Sequence, residues 1–391
     1  MALARRLALA RLVSLSGGSA AYIALVAALY SETGSALWIS AAIFASVVAS
    51  VVAAPFAGWV GDHFDRRRVL ITTDLAAAVV FIAMAATARH PVPLVVLLGL
   101  SSIVQAPFGP ASAAALPSVV GPSDLARANA LVGATSSAAY LAGPLLGGAV
   151  LSVGASAAAV FLANAATFVF SATLVGTIRR PFGRGSTTDH PGVLAGARVV
   201  VSDRALRVPV LAGMVSLVGI GIVDVGSYPL SLDLHGGSSG YGAMTALLGG
   251  GGLLGAALSG RTIRANPVRA LALGFGAGAT GLLMAGIAPV LAVALAGMAV
   301  AGVGRGLGDV ASVTLLQSRT IDEVRSRVFA AEEGAAHVAF SVSAFTGGLL
   351  VSVAGARTAF LTAAAFGISA AVIARRSAPS AVVSHPSFGS P

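Results

Sequence analysis

Runs of about 20 apolar residues, separated by short polar clusters, recur along almost the whole 391-residue chain. A helix of that length crosses the hydrocarbon core of a bilayer, where every backbone N–H and C=O must be bonded within the protein. Only 10% of the residues are charged and 57% are hydrophobic, which leaves too few charges to coat a water-soluble fold of this size. The sequence therefore predicts an all-α membrane protein with many spanning helices.

Twelve spanning segments can be placed along the chain. They lie near residues 12–33, 37–61, 69–88, 92–118, 128–152, 157–178, 208–232, 241–260, 269–287, 290–316, 329–353 and 357–375. The N-terminal basic cluster and apolar run are similar to a signal peptide, but no cleavage site is obvious, so we expect this segment to be retained as span 1.

Arginine supplies every basic side chain apart from histidine, and it is distributed unevenly between the loops. Of the 24 arginines, 21 lie on the side that would hold both termini, whereas Arg89 and Arg357 lie on the other side and Arg305 lies within a span. Basic loops stay in the cytoplasm, so both termini are predicted to be cytoplasmic, with the protein in the cell (inner) membrane. Topology thus accounts for the net charge of +10, and we expect no nucleic-acid partner.

The longest internal polar stretch divides the chain into two sets of six spans. We expect one six-helix bundle over residues 1–178 and a second over 208–376. A cytoplasmic linker at 179–207, with a short amphipathic helix over 193–206, would join them, and 377–391 would be a disordered tail. The halves are similar at an offset of 200 residues: Gly147 and Gly148 recur as Gly347 and Gly348. This similarity predicts two pseudo-symmetric bundles with a passage between them.

The stretch GWVGDHFDRRRVL, between spans 2 and 3, gathers five formal charges in seven residues. Gly58, Asp62 and Arg66–Arg68 resemble the signature loop of the major facilitator superfamily, with His63 and Asp65 at positions where the family commonly has other residues. Four further stretches are similar to the branch that contains the enterobactin exporter and macrolide-efflux proteins: GSALWISAAIF, FGPASAAALPSVVGPSDLARANAL, AGPLLGG and LLQSRTIDEVRSRVFA. The resemblance covers most of the chain.

This resemblance implies a transporter that works by alternating access, and specifically a proton-coupled exporter of small amphipathic molecules. It also implies a cytoplasmic gate in which an acid and an arginine help to hold the halves together while the exterior is open. The expected gate residues are Gly58, Asp62, Arg66 and Asp74. Two alternatives stay open: an uptake symporter of the same fold, and a non-transporting membrane receptor or scaffold without a substrate-sized cavity, which would tolerate loss of Asp224.

Span 5 contains the stretch GATSSAAYLAGPLLGG. Four of its residues resemble the antiporter motif of drug exporters: Gly143, Pro144, Gly147 and Gly148. Small residues also let membrane helices pack closely, so the same pattern has a purely structural explanation. The arginine that is usual in span 4 of such exporters is missing, and Ser112 and Ala113 occupy that region.

Charged residues within spans are costly and usually functional. Asp224 in span 7 is the first candidate for a proton- or cation-binding site, unless it pairs across the bundle with Arg305. Arg305 and Asp309 in span 10 are four residues apart on one helix face and are predicted to pair, either structurally or as part of a coupling site. Glu333 and His337 have the same spacing near the predicted start of span 11, where an acid suits the helix dipole and His337 could relay protons.

Polar and aromatic residues within the spans are candidates for the lining of a central cavity: Tyr22, Gln105, Phe108, Tyr140 and Tyr228. Span 4 is expected to break around Gln105 to Pro110. The chain has no cysteine, and no catalytic, nucleotide-binding or metal-binding pattern appears, so we predict no enzyme activity, cofactor or metal. The expected partners are a small molecule, a gradient of protons or another cation, and the bilayer, with the chain as a monomer.

Overall fold

Helices make up all the regular secondary structure described by the computed structural model, which covers residues 2–120, 124–178, 198, 200–320 and 322–376. Spans 1 to 3 are Ala2–Thr33, Ala36–His63 and Arg66–Ala86, and span 4 comprises Pro91–Gln105 and Phe108–Val119. Spans 5 to 10 are Leu125–Ser152, Ala157–Gly176, Arg204–Asp233, Gly237–Ala265, Pro267–Gly286 and Leu291–Arg319. The expected break in span 4 is confirmed at Ala106 and Pro107.

The last helix, Asp322–Arg375, contains spans 11 and 12. Its apolar part, Glu332–Arg375, has 44 residues. A straight helix of that length would measure about 66 Å, twice the hydrocarbon thickness of about 30 Å. Gly355 interrupts it with φ 81° and ψ 166°, a conformation that glycine adopts readily because it has no Cβ. Within the described residues, ten other helices can cross a bilayer, so the twelve predicted crossings are confirmed.

The helices begin at side chains that accept hydrogen bonds from the first free backbone N–H groups. Ser35, Asp65, Ser156 and Asn266 cap spans 2, 3, 6 and 9 in this way. Span 2 continues to His63 and span 3 begins at Arg66, so the predicted loop over 62–68 was wrong in length. Hydropathy identifies the part of a helix inside the hydrocarbon, whereas these helices extend into the polar interface.

The contacts among spans 1 to 6 are repeated among spans 7 to 12. In the first half, span 1 packs on spans 5 and 6, span 3 on span 6, and span 2 on span 4. In the second half, span 7 packs on spans 11 and 12, span 9 on span 12, and span 8 on span 10. Each pair in the first half has its counterpart six spans later, which confirms two pseudo-symmetric six-helix bundles.

Glycine allows the helices of the second half to touch through their backbones. A Cβ on Gly302 of span 10 would overlap the carbonyl oxygen of Leu248 in span 8, and it would lie 2.9 Å from the Cα of Gly251. Lipid tails are as apolar as leucine, so membrane helices associate through close packing of this kind and not through the hydrophobic effect.

Some sequence predictions fall outside the described residues. These are the linker over 179–197 and the tail over 377–391. Of the amphipathic helix predicted over 193–206, residues 200–202 are helical, and Arg204 already begins span 7.

The contact between spans 8 and 10 makes a stability prediction. We expect Gly302→Ala to lower the unfolding midpoint in detergent by about 5 °C, because the added methyl group forces two backbones apart. Gly276→Ala is the matched control, since a Cβ at Gly276 would meet nothing within 4 Å. Equal midpoints for the two variants, measured by thermal unfolding, would show that spans 8 and 10 are not packed this closely.

Candidate functional site

The two halves meet on the side of the bundle opposite the termini. Span 5 packs on span 8 and span 2 on span 11. On this side one buried core contains residues of both halves, including Ile39 of span 2 and Met244 of span 8. Among the residues that the structure describes, the buried clusters on the termini side each belong to a single half. The halves therefore close together on one side and separate towards the other.

The motif of span 5 lies at this closed side, where its glycines permit close contact with span 1. A Cβ on Gly143 would come within 2.6 Å of the carbonyl oxygen of Ser16. A Cβ on Gly147 would come within 2.7 Å of the carbonyl oxygen of Ala20. No larger side chain fits without moving span 5 away from span 1.

Gly148 faces the other half. A Cβ there would lie 2.6 Å from the carbonyl oxygen of Ser238, at the start of span 8. Gly242, one turn further along span 8, lies against the carbonyl of Pro144, where a Cβ would overlap. The motif thus places span 5 between span 1 of its own half and span 8 of the other half.

Span 2 and span 11 form the symmetry-related contact. The hydroxyl of Ser40 donates a buried hydrogen bond of 2.7 Å to the carbonyl oxygen of Ala344. Gly348, one turn further along span 11, lies against Ser40 and Ala36 so closely that a Cβ would overlap the Ser40 hydroxyl. Small residues again allow the halves to touch.

Three tyrosines complete the closed side. Tyr228 of span 7 meets Tyr30 of span 1 edge to face, with ring centroids 5.7 Å apart. It meets Tyr241 of span 8 in the same manner at 5.5 Å. The rings of Tyr228 and Tyr241 pack in the core that joins the halves. Tyr228 is not among the described residues that line the cavity between the halves, so its predicted place in the lining was wrong.

A cavity of about 1100 Å³ lies between the halves, on the termini side of the core that joins them. Tyr22, Gln105 and Tyr140 are among its lining residues, together with Asp224, Arg305 and Asp309, and their contact with a substrate stays a prediction. Phe108 is not among the lining residues, because it packs against the buried cluster on the termini side of the first half. A cavity of this size can enclose most of a drug-sized molecule.

Asp224 marks the end of the cavity where the two halves join. The hydroxyl of Tyr22 in span 1 donates a hydrogen bond of 2.7 Å to its carboxylate in span 7. One turn further along each helix, Val26 and Tyr228 belong to the core shared by the two halves. This hydrogen bond therefore connects the halves at the boundary between open cavity and closed contact.

The predicted pair in span 10 forms inside the cavity. The guanidinium Nε of Arg305 is 3.7 Å from a carboxylate oxygen of Asp309. The two side chains are 49% and 69% exposed, so both charged groups face the open space. Arg305 also lies close enough to Asp224 to interact with it electrostatically, as anticipated for a partner across the bundle.

Asp74 occupies a different place from the cavity. It is 2% exposed in span 3 and lies beside the hydroxyl of Ser171 in span 6, within the first half. One of its carboxylate oxygens has no hydrogen-bond partner among the described residues. Its role in a gate-linked network stays a prediction.

Glu333 and His337 are on the exposed surface of span 11. The imidazole Nδ1 of His337 lies 2.8 Å from the backbone carbonyl oxygen of Glu333, not from its carboxylate. The helix begins at Asp322, eleven residues earlier, so the placement of Glu333 in a first helical turn was wrong. Neither residue is among the described lining of the cavity, and the proton relay stays a prediction.

The signature loop lies on the open side. Asp65 caps span 3 by accepting from the backbone N–H of Arg68 at 3.1 Å, which gives this residue a local structural role. Gly58 and Asp62 fall in the last turns of span 2, but their surroundings lie outside what the structure describes, and Arg66 is half-buried at the start of span 3. Among the described residues no buried cluster joins the halves on this side, and the cytoplasmic gate of Gly58, Asp62 and Arg66 stays a prediction.

One residue with a specific role was missed by the sequence analysis, which counted Arg11 only towards topology. Its guanidinium donates to the hydroxyl of Ser136 in span 5 at 3.0 Å and to that of Ser112 in span 4 at 3.4 Å. Span 1 thus supplies a half-buried cation to the region where the expected span-4 arginine is absent. Sequence spacing gave no signal of this contact, because the three residues come from three helices.

The family model of the Major Facilitator Superfamily matches residues 7–320. The chain belongs to this superfamily. Its members are transporters and not enzymes, as predicted. The Enterobactin exporter EntS of Citrobacter koseri is 28% identical over 286 residues, which cover 69% of this chain and 66% of that protein. The match therefore spans slightly less than two thirds of the exporter's length.

Solved structures of other members of this superfamily share the fold. The nucleoside transporter NupG, in a mutant form, has a TM-score of 0.81 at 12% identity, with 96% of this chain and 99% of that chain covered. A bacterial homologue of the iron transporter ferroportin, in an inward-facing state, has a TM-score of 0.78 at 16% identity, with 97% and 99% covered. These neighbours differ in cargo, so they establish the architecture and leave the cargo open.

The superfamily assignment and the cavity exclude the receptor or scaffold alternative, which required a bundle without a substrate-sized space. The chain is a multi-pass membrane transporter of the major facilitator fold.

The opening of the cavity makes a prediction that the chain is well suited to test, because it contains no cysteine. A cysteine at Ser137, which lines the cavity, should react with a membrane-impermeant maleimide about tenfold or more faster than one at Ser40. Ser40 is fully buried between the halves. Labelling of the two purified variants in detergent measures the rates, and equal rates would contradict a bundle closed on the side of Ser40.

Proposed function

We propose that this protein is a proton-coupled exporter of small amphipathic molecules in the cell (inner) membrane, with both termini in the cytoplasm. The observation that carries the proposal is the hydrogen bond between Tyr22 and Asp224, because it places an ionisable carboxylate where the cavity ends and the halves join. Protonation of this carboxylate changes the strength of a contact between the halves, which links a proton to a conformational change.

The arginine distribution supports the orientation. With 21 of 24 arginines on the termini side, the positive-inside rule assigns that side to the cytoplasm. The cavity then opens to the cytoplasm in this conformation, as required to load an exported molecule from inside the cell. The likeness to the enterobactin exporter supports export. The contacts of Gly143, Pro144, Gly147 and Gly148 place the antiporter-like motif of span 5 between span 1 and span 8.

The transport cycle follows from the two protonation states of Asp224. The carboxylate accepts a charge-assisted hydrogen bond from Tyr22, which is stronger than a bond to the neutral acid. It also interacts electrostatically with Arg305 of span 10, which belongs to the same half as Asp224. The Tyr22 bond is the one of these two contacts that joins the halves, and loss of the negative charge weakens it and allows the halves to separate on the closed side. The net strength must be modest, because the contact is broken in every cycle.

Replacement of Asp224 tests the coupling. We expect Asp224→Asn to lower proton-linked transport by about tenfold or more, within the range typical of coupling between sites, because asparagine cannot exchange a proton. The measurement uses everted vesicles with an acidic interior and a pH-sensitive dye, with addition of erythromycin or ethidium as the test cargo. Asp233→Asn is the matched control, since Asp233 is an exposed carboxylate in the same helix outside the described cavity lining.

The same experiment decides the direction of transport. Export by proton antiport predicts that a test cargo enters everted vesicles while protons leave, so the interior becomes less acidic. An uptake symporter would instead move cargo and protons together out of such vesicles. Normal proton exchange in Asp224→Asn, with the protein inserted at wild-type level, would remove Asp224 from the mechanism.

The hydroxyl of Tyr22 makes a second, smaller prediction. Tyr22→Phe keeps the ring and the titratable carboxylate but removes the hydrogen bond, which for a charged group contributes about 1.5–3 kcal/mol. We expect this variant to keep proton exchange and to react faster at a cysteine placed at Ser40, because the closed side opens more often. Tyr30→Phe, a tyrosine eight residues further along span 1, is the control. Unchanged labelling at position 40 would show that the Tyr22 hydrogen bond does not hold the halves together.

A further inference from the structure

The charged residues that line the cavity all come from one half. Among the described lining residues they are Asp224 of span 7 and Arg305 and Asp309 of span 10. The first half contributes no charged lining residue within the described part of the chain. It supplies hydroxyl groups, the amide of Gln105 and the rings of Tyr22 and Tyr140, whereas the rings of Phe81 and Phe168 touch the cavity only at its edge, with 6% and 3% of their surface exposed. The cavity thus has one charged wall and one neutral, aromatic wall.

The charged wall carries an excess of one negative charge when both acids are ionised. Arg305 is shared between them: it lies 3.7 Å from Asp309 and interacts electrostatically with Asp224. One guanidinium cannot neutralise two carboxylates. In the Arg305–Asp309 ion pair, the side chain of Asp309 is the more accessible to a bound molecule, since it is 69% exposed. Apolar walls around a charged cleft focus its field, so an excess charge there attracts a counter-charge more strongly than the same charge on an open surface.

The neutral wall suits the remaining part of such a counter-ion. Aromatic faces attract cations through their ring quadrupoles and also bury apolar surface. Tyr140 is 57% exposed, so one of these rings is presented to open space. The serine hydroxyls of the first half can bond to neutral polar groups, but they offer no charge to pair with an anion.

We propose that the cavity takes an apolar molecule with a single positive charge, oriented with that charge towards Asp309 and Asp224 and with its apolar body against the aromatic residues of the first half. This inference deepens the proposed export function and depends on the same cavity. It sets the cargo's charge sign, which neither the fold nor the relatives' names determine. An anion of the same size is excluded by the excess negative charge, and a neutral one binds less tightly.

The proposal is tested with two probes of nearly equal size and opposite charge, tetraphenylphosphonium and tetraphenylborate. Binding of each to the purified full-length protein is measured at pH 8 in detergent, without any gradient. Wild-type protein should bind the cation, and Asp309→Asn and Asp224→Asn should each weaken that binding by about tenfold or more, because each brings the net charge of the lining to zero. Asp233→Asn serves as the control and should bind as wild type does.

A variant that binds the cation more tightly shows that the weaker binding of the other variants is not caused by misfolding. Arg305→Gln raises the excess negative charge of the lining from one to two, so it should strengthen cation binding by about tenfold. None of the variants should bind tetraphenylborate more tightly than the cation, once partitioning into empty micelles is subtracted. Cation binding that is unaffected by all three lining substitutions, or tighter binding of the borate by the wild type, overturns the proposal.

The result of this binding experiment can contradict the proposed cargo class without contradicting the proposed proton-coupled export, and the reverse also holds. Binding without a gradient does not depend on the coupling ion or on the direction of transport. Cation binding with the expected variant pattern but no proton exchange in vesicles would contradict proton coupling alone. Proton exchange driven by an anionic or neutral cargo, with no cation binding, would contradict the cargo class alone.

Discussion

The structure depends on how closely helices can approach inside a bilayer. Lipid gives no hydrophobic reason for two helices to associate, so adhesion comes from backbone-to-backbone packing that only small residues permit. Gly148 against Ser238, and Gly348 against Ser40, bring the two halves together in this way on the side opposite the termini. Larger side chains fill the space around these contacts, because Tyr30 and Ile39 of the first half pack against the core that also contains Tyr228 of the second. Because the halves are in contact on the side opposite the termini, the cavity lies between them on the termini side.

The charges lie where the closed contact gives way to the cavity. The Tyr22–Asp224 hydrogen bond spans the two halves at this boundary, and Arg305 connects Asp224 electrostatically to Asp309. A carboxylate placed here affects both conformation and cargo, because its charge contributes to the contact between halves and to the field in the cavity. Placing all the described lining charges in spans 7 and 10 leaves the first half as a neutral surface, which gives an amphipathic molecule a preferred orientation.

Periodicity and composition were enough to predict the twelve spans and the break in span 4, since each depends on residues that are close together in the sequence. The Arg305–Asp309 pair was predictable for the same reason. The pseudo-symmetry was predictable because residues of the first half recur in the second at an offset of 200. The Tyr22–Asp224 contact and the bonds of Arg11 to spans 4 and 5 were not, because they join residues at least a hundred positions apart. Tyr228 and Phe108 were assigned to the cavity on residue type alone, and type does not tell whether a ring faces a cavity or a neighbouring helix.

The central claim is that one side of the bundle closes as the other opens. It is tested most directly by measuring distances between pairs of spin labels, attached to cysteines introduced into this cysteine-free chain, with double electron-electron resonance. Spin labels at Glu32 and Leu232 report on the closed side, and labels at Arg68 and Arg264 report on the termini side; all four positions are exposed. Between pH 8 and pH 5 the account predicts that the first distance lengthens while the second shortens, as Asp224 takes up a proton. Distances that both stay constant, or that change in the same direction, would contradict it.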